Sequence, residues 1–246
     1  MSVNILILVG TGDGLQLAKE LGLRAEFNVC IFVDKRFRFR SNLKVAGELS
    51  ALKNEEFFYR FLIENGIEAL IDASHPFDKD STELSKRVSK LANIKLTHFL
   101  RHPWSPTIDD KWTSVRTLDE AAKTIPDGSN VFIATGRSGL EKFSKLTSSK
   151  FFIRRLGKAK LQCPLGNGKF IYGNPPFSLK DEISLFKSLK IDILIIKNVG
   201  GKGSFAKVEA ARAMNISVIM IERPQEPWVN VITTSPGIFK WMDHNL

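Results

Sequence analysis

Cysteine is scarce: only Cys30 and Cys163 occur in 246 residues, and they lie far apart. No second thiol is near enough in sequence to form a redox or metal-binding pair, so neither a disulfide nor a cysteine metal site is expected. The four histidines, His75, His98, His102 and His244, form no helical ligand motif, and no metal is expected. Long apolar runs are missing as well. None approaches the roughly 18 residues of a membrane helix, so no membrane partner is expected. The N-terminus lacks the basic start, apolar stretch and small-residue cleavage site of an export signal, which points to a cytoplasmic protein. There is no nucleophile elbow of a serine hydrolase and no repeat of fixed period. Acid is in deficit: 36 Lys and Arg oppose 26 Asp and Glu, giving a net charge of +10. Such an excess favours a polyanionic partner, whether nucleic acid, nucleotide or a small molecule with many carboxylates.

With 43% hydrophobic and 25% charged residues, the chain has material for a large core. Strand-length apolar runs are read at 4–9, 29–33, 69–73, 95–100, 131–135, 151–155, 193–197 and 218–221. Between them helical periodicity appears at 15–21, 55–65, 81–91, 118–124, 140–146, 179–189 and 205–214. This alternation predicts an α/β protein with mostly parallel sheets and helices on both faces. Asp80 with Glu83 has capping-box spacing, Asp181 and Glu182 put acid at a helix start, and Gly66 after Asn65 reads as a helix stop. Periodicity lapses after "FLRHPWSP", which sets an expected boundary between an N-terminal domain, 1–104, and a C-terminal domain, 105–246, with exchange of strands between them left open. The stretch from Gly157 to Ser178 is expected to be a lid or binding loop. Two Rossmann-like domains facing one another across a ligand cleft would explain strand-loop-helix units in both halves.

In such sheets ligands bind beyond the carboxyl ends of the strands, so the exit loops are the informative ones. Gly10, Thr11, Gly12, Asp13 and Gly14 follow the first strand and open a helix, where backbone N–H groups can hold a pyrophosphate. The spacing is G-x-G-x-G, one residue short of the dinucleotide fingerprint, and Asp13 puts negative charge where an anion would sit. A sterically required turn explains the glycines equally well. Asp34, Lys35 and Arg36 end the second strand, where an acid would bind the ribose of NAD and a cation the 2′-phosphate of NADP. The run "DKRFRFRSNLK" also mixes cations with aromatics, as a single-stranded nucleic-acid surface does, but no nucleic-acid module surrounds it. In "LIDASHPF", Ser74 and His75 leave a strand; His75 is a proton-donor or carboxylate-binding candidate, or a structural histidine. Arg137, Lys197 and Lys202 lie in glycine-rich exits, and Arg101 and Arg154 or Arg155 could add fork-shaped carboxylate contacts.

Taken in order, "GTGDGLQLAKEL", "LIDASHPF", "RHPW", "ATGRSGLEKF", "GNPPFS" and "IIKNVGGKGSFAKVEAARAMNISVIMIERP" resemble the precorrin-6A reductase family of cobalamin biosynthesis. The most specific pieces are Asp72 to Phe77, similar to D-A-T-H-P-[FY], and Lys197 to Gly201 with Lys207, Glu209, Ala210, Ala211 and Arg212, ending in Arg223-Pro224. The sequence departs from the family at Val9, where glycine is common, and at Ser74 and Val199, where Thr and Ser are frequent. The resemblance implies hydride transfer from a nicotinamide cofactor, usually NADPH and sometimes NADH, to one macrocyclic double bond of precorrin-6A or its cobalt form. Cofactor contacts are expected, from the positions of their loops, at Gly10 to Gly14 and Asp34 to Arg36, the alternative being that the first loop serves the macrocycle and the cofactor lies mainly on the other domain. Substrate contacts are expected from Ser74, His75, Arg101, Arg137, Arg154, Lys197, Asn198, Gly200 and Gly201, and on physical grounds His75 or Lys197 has the task of supplying the proton or positioning a water that does. The partner is then a polycarboxylate tetrapyrrole and not a nucleic acid, bound by a monomer or homodimer. Two other readings stay open: another Rossmann-type oxidoreductase with an anionic substrate, and a basic nucleotide- or RNA-binding module.

Overall fold

The computed structural model describes residues 2–35, 43–157, 161–224 and 230–246. The chain separates into two compact units, Met1–His102 with Pro224–Leu246, and Pro103–Arg223. The last segment therefore belongs with the first unit, an exchange that the expected division into 1–104 and 105–246 left open.

In the first unit six parallel strands, β1 (Val3–Val9), β2 (Phe27–Val33), β3 (Lys44–Glu48), β4 (Ala69–Ala73), β5 (Lys95–Phe99) and the two-residue β12 (Val231–Ile232), lie in the order β12-β5-β4-β1-β2-β3. That is the Rossmann order, with the C-terminal segment supplying the sixth strand. Alternation within β1 sends Ile5, Ile7 and Val9 to one face and Leu6 and Leu8 to the other. The first face packs under α1 (Gly12–Gly22) and α7 (Ser235–Asn245), and the second under α2 (Glu55–Glu64) and α3 (Lys79–Leu91). Both faces of β1 are buried, which is why it reads as an unbroken apolar run. Burial of these side chains, at about 25 cal/mol per Å² of apolar surface, is the main force closing the unit.

The second unit has β6 (Trp112–Val115), β7 (Asn130–Ile133), β8 (Lys150–Leu156), β9 (Gly168–Gly173), β10 (Ile193–Lys197) and β11 (Ser217–Ile221), all parallel, in the order β6-β11-β10-β7-β8-β9. Helices α5 (Leu179–Leu189) and α6 (Ala206–Ala213) cover Phe132, Leu194, Ile196, Val218 and Met220 with Phe186, Val208, Ala210 and Ala211. Beside β6 and β11 lies α4 (Leu118–Lys123), and the segment expected as a helix over 140–146 is a 3-10 turn, Leu140–Phe143.

Three local expectations change. Residues 157–178 are not one irregular lid, because β9 runs through them and pairs with β8. The cap of α3 is Asp78, whose side chain accepts from Ser81 N at 3.2 Å; the helix starts one residue before Asp80, so Asp80 and Glu83 make no capping box. The acid at the start of α5 does have a cap, since Ser178 and Asp181 bond reciprocally. Among the described residues no helix is long and apolar enough to cross a membrane.

Candidate functional site

The first sheet changes direction between β1 and β4, the place where loops diverge and leave room for a ligand. The loops leaving these two strands are Gly10–Gly14 and Ser74–Phe77. They touch. Gly10 N donates to Ala73 O at 3.0 Å, and a Cβ on Gly10 would lie 2.5 Å from His75 N. At Gly14 a Cβ would meet Ala73 Cβ at 2.7 Å, so both positions require glycine for packing. Gly12 differs, with nothing within 4 Å of where its Cβ would stand. Thr11 caps α1 by accepting from Gly14 N at 3.0 Å. The first-turn N–H groups of α1 thus open onto free space through Gly12, and the helix dipole favours an anion there.

Asp13 had seemed to work against that anion. In the structure its carboxylate is held by Arg101 Nη1 at 2.6 Å, which cancels its charge locally. This pairing joins a residue expected to contact cofactor with one expected to contact substrate. Asp34 follows β2, its N–H donating to Val9 O at 2.9 Å, and Lys35 beside it is exposed. Arg36 lies outside the described residues. The cradle therefore fits a dinucleotide: an open helix N-terminus, a neutralised acid, and an acid beside a cation at the next strand exit.

Below the second loop, Asp72 Oδ1 accepts from Ser74 N at 3.0 Å, and Asp72 Oδ2 lies 3.6 Å from His98 Nε2. Asp72, Ser74 and His98 are buried. A hollow about the size of one water molecule is lined by Asp72, Ser74, His75 and His98. His75 is half-buried, and its Nδ1 accepts from Phe77 N at 3.2 Å. That bond assigns the proton of the neutral ring to Nε2.

The second sheet repeats the arrangement, reversing between β7 and β10. Their exit loops carry Arg137, exposed after Gly136, and Lys197 through Gly201. Asn198, expected as a substrate contact, is buried and committed to the fold: Oδ1 accepts from Trp104 N at 2.8 Å, while Nδ2 donates to Trp104 O and to Glu222 Oε2, each at 3.0 Å. Trp104 Nε1 donates to Gly201 O at 2.7 Å. Gly200 and Gly201 have φ of +69° and +68°, the left-handed region that favours glycine.

Arg154 also departs from expectation. Its Nη2 bonds Glu182 Oε2 at 2.5 Å, and Lys207 Nζ stands 3.5 Å from Glu182 Oε1. Glu182 and Lys207 are buried, the Arg154 side chain is only 9% exposed, and Phe177 lies under both cations. Burial lowers the proton affinity of Lys207 and of Arg154, and Glu182 opposes that shift in each. Glu182 reads in the sequence only as acid at a helix start, although Phe186 one turn later on the same buried face is a signal that this acid points inward.

The family described as "Precorrin-6x reductase CbiJ/CobK" matches residues 4–243. The precorrin-6A reductase of Rhodobacter capsulatus is 28% identical over 98% of this chain and 96% of that protein. That of Mycobacterium tuberculosis is 32% identical over 91% and 90%. A cobalt-precorrin-6A reductase of Priestia megaterium is 27% identical over 94% of each chain. A solved structure of CobK precorrin-6A reductase has a TM-score of 0.87 at 26% identity, covering 99% of this chain and 97% of that one. Two parallel sheets with glycine-rich loops at their switch points, along a chain matched almost end to end, lead to one conclusion: this chain belongs to the precorrin-6x reductase family, nicotinamide-dependent oxidoreductases of cobalamin biosynthesis.

Proposed function

We propose that the chain reduces one macrocyclic double bond of precorrin-6A, or of its cobalt form, to the 6B form, with NADPH as the preferred donor. The observation that carries this reading is the switch-point cradle, where Gly12 leaves the N-terminus of α1 open while Arg101 neutralises Asp13. Gly10 to Gly14 would hold the pyrophosphate, and Asp34 with Lys35 the ribose end; Lys35 favours a 2′-phosphate. When bound, the nicotinamide supplies a hydride. The chain's own residues then have three tasks: to orient the macrocycle, exclude water and deliver one proton to the neighbouring carbon.

His75 Nε2–H is the proposed proton source, since Phe77 N–H holds the other ring nitrogen as an acceptor. Hydride and proton together complete a two-electron reduction of the double bond. Arg137 and Lys197 in the second unit are proposed to receive carboxylate arms, as is the guanidinium of Arg101 in the first. Arg154 and Asn198, whose side chains bond Glu182 and Trp104, are proposed to support the site without touching the substrate. A cytoplasmic setting fits a soluble cofactor and substrate. The test is anaerobic incubation with precorrin-6A or cobalt-precorrin-6A, each with NADPH and with NADH, following cofactor oxidation. Oxidation that depends on the tetrapyrrole is expected, faster with NADPH; none in any combination would sink the reading.

A further inference from the structure

Behind the loop that leaves β10, two successive carbonyl groups turn toward the same side chain. Arg223 Nε donates to Asn198 O at 2.9 Å, and Arg223 Nη2 donates to Val199 O at 2.8 Å. A trans peptide is planar and its C=O and N–H point in opposite directions. Engaging the Val199 carbonyl therefore aims the Gly200 N–H away from Arg223. Gly200 is buried, and no described residue accepts a hydrogen bond from that N–H. Buried backbone donors without an acceptor are rare, because each costs about as much as a lost hydrogen bond. One held in place by a two-pronged guanidinium, at the switch point of a sheet, marks a position where a ligand supplies the acceptor.

The surroundings identify the acceptor's charge. Lys197 ends β10 before the loop, and Lys202, which is exposed, follows it. Gly200 and Gly201, both in the left-handed region, bring no side chain of their own to the amide. The loop that carries the donor is thus bracketed in sequence by two lysines, a setting that suits an anionic oxygen.

We infer that Arg223 is a positioning residue that fixes the Val199–Gly200 peptide so that the Gly200 N–H receives an anionic oxygen of a bound ligand. The oxygen belongs either to a carboxylate arm of the macrocycle or to a phosphate of the cofactor. This deepens the reading of the chain as a reductase of a polycarboxylate substrate and rests on it. Lysine cannot replace the fork, since one ammonium does not present two coplanar donors spaced for successive carbonyls.

The experiment measures binding, not turnover. Dissociation constants of precorrin-6A and of NADPH are determined separately for wild type and Arg223→Lys, and the Gly200 amide resonance of the wild type is followed during each titration. Arg223→Lys is expected to weaken one ligand by about tenfold and leave the other unchanged, the loss typical of a charge-assisted hydrogen bond. The Gly200 resonance moves with that same ligand, so the affected ligand tells a carboxylate from a phosphate. Free guanidinium added to Arg223→Ala restores part of the affinity, which a general loss of packing would not allow. Should the variants not fold, the wild-type resonance decides: indifference of Gly200 to both ligands overturns the inference. Unchanged affinities in a folded Arg223→Lys overturn it too, and leave the reductase reading intact if the wild type binds and turns over. A wild type that binds neither ligand overturns both.

Discussion

Glu182 lies between two buried cations, bonded to Arg154 Nη2 and 3.5 Å from Lys207 Nζ, with Phe177 beneath both. Removing the charge of Glu182 leaves an arginine and a lysine buried together without compensation. Glu182→Gln is expected to lower stability by about 3–5 kcal/mol in urea unfolding. A loss under about 1 kcal/mol would mean the triad is hydrated and exchanges freely with solvent. His75 is expected to act on the chemistry and not on the fold. His75→Ala should reduce kcat by about a hundredfold or more at saturating substrate with little change in melting temperature, and undiminished turnover removes it from proton transfer. Arg154 reads as a ligand contact from its position near a strand exit, and Asn198 through the resemblance to the family. In the structure their side chains have partners within the fold: Arg154 points to the α5 face of its sheet, and Asn198 turns back to Trp104 and Glu222. Direction depends on the partner elements, and a pairing between distant residues, such as Arg154 with Glu182 or Asn198 with Trp104, carries no local mark.

The loop from Gly10 to Gly14 divides into glycines of two kinds. Gly10 and Gly14 are bare because the exit of β4 presses on them, whereas Gly12 faces space. Gly12→Ala is therefore expected to fold with a nearly unchanged melting temperature and to raise the KM for the nicotinamide cofactor about tenfold. Gly14→Ala should lose stability outright, by about 1–3 kcal/mol, from overpacking against Ala73. If Gly12→Ala binds cofactor as the wild type does, the pyrophosphate is not on α1. The eight strands buried between neighbours were all legible as apolar runs. The four that escaped, β3, β6, β9 and β12, are the four sheet edges. An edge strand pairs on one side only and keeps polar residues, as "KVAGE" and "WTSV" do. Helix α7 is absent from the helices read in the sequence; it opens with Pro236 at its start, where the missing N–H costs nothing.

Net charge acts on the molecule as a whole. A chain of +10 and a substrate with many carboxylates attract one another before contact. Raising ionic strength from low to well above physiological should reduce kcat/KM for the tetrapyrrole by about tenfold or more, with kcat much less affected. Indifference to salt would show that the cations of the exit loops do not steer the substrate. The chain's course also matters at this scale, since Pro224–Leu246 returns to the first unit, adding β12 to its sheet and α7 to its core. Sequence periodicity marks elements but not which sheet a late element joins, so the expected domain 105–246 took in a segment that packs elsewhere. The central claim is direct hydride transfer from a nicotinamide to a corrin precursor. Its most direct test is a single anaerobic turnover with cofactor deuterated at the transferring C4 position, followed by the mass of the macrocycle. The account predicts one deuterium in the reduced tetrapyrrole; a reduced product without the label, or no product with either NADPH or NADH, would contradict it.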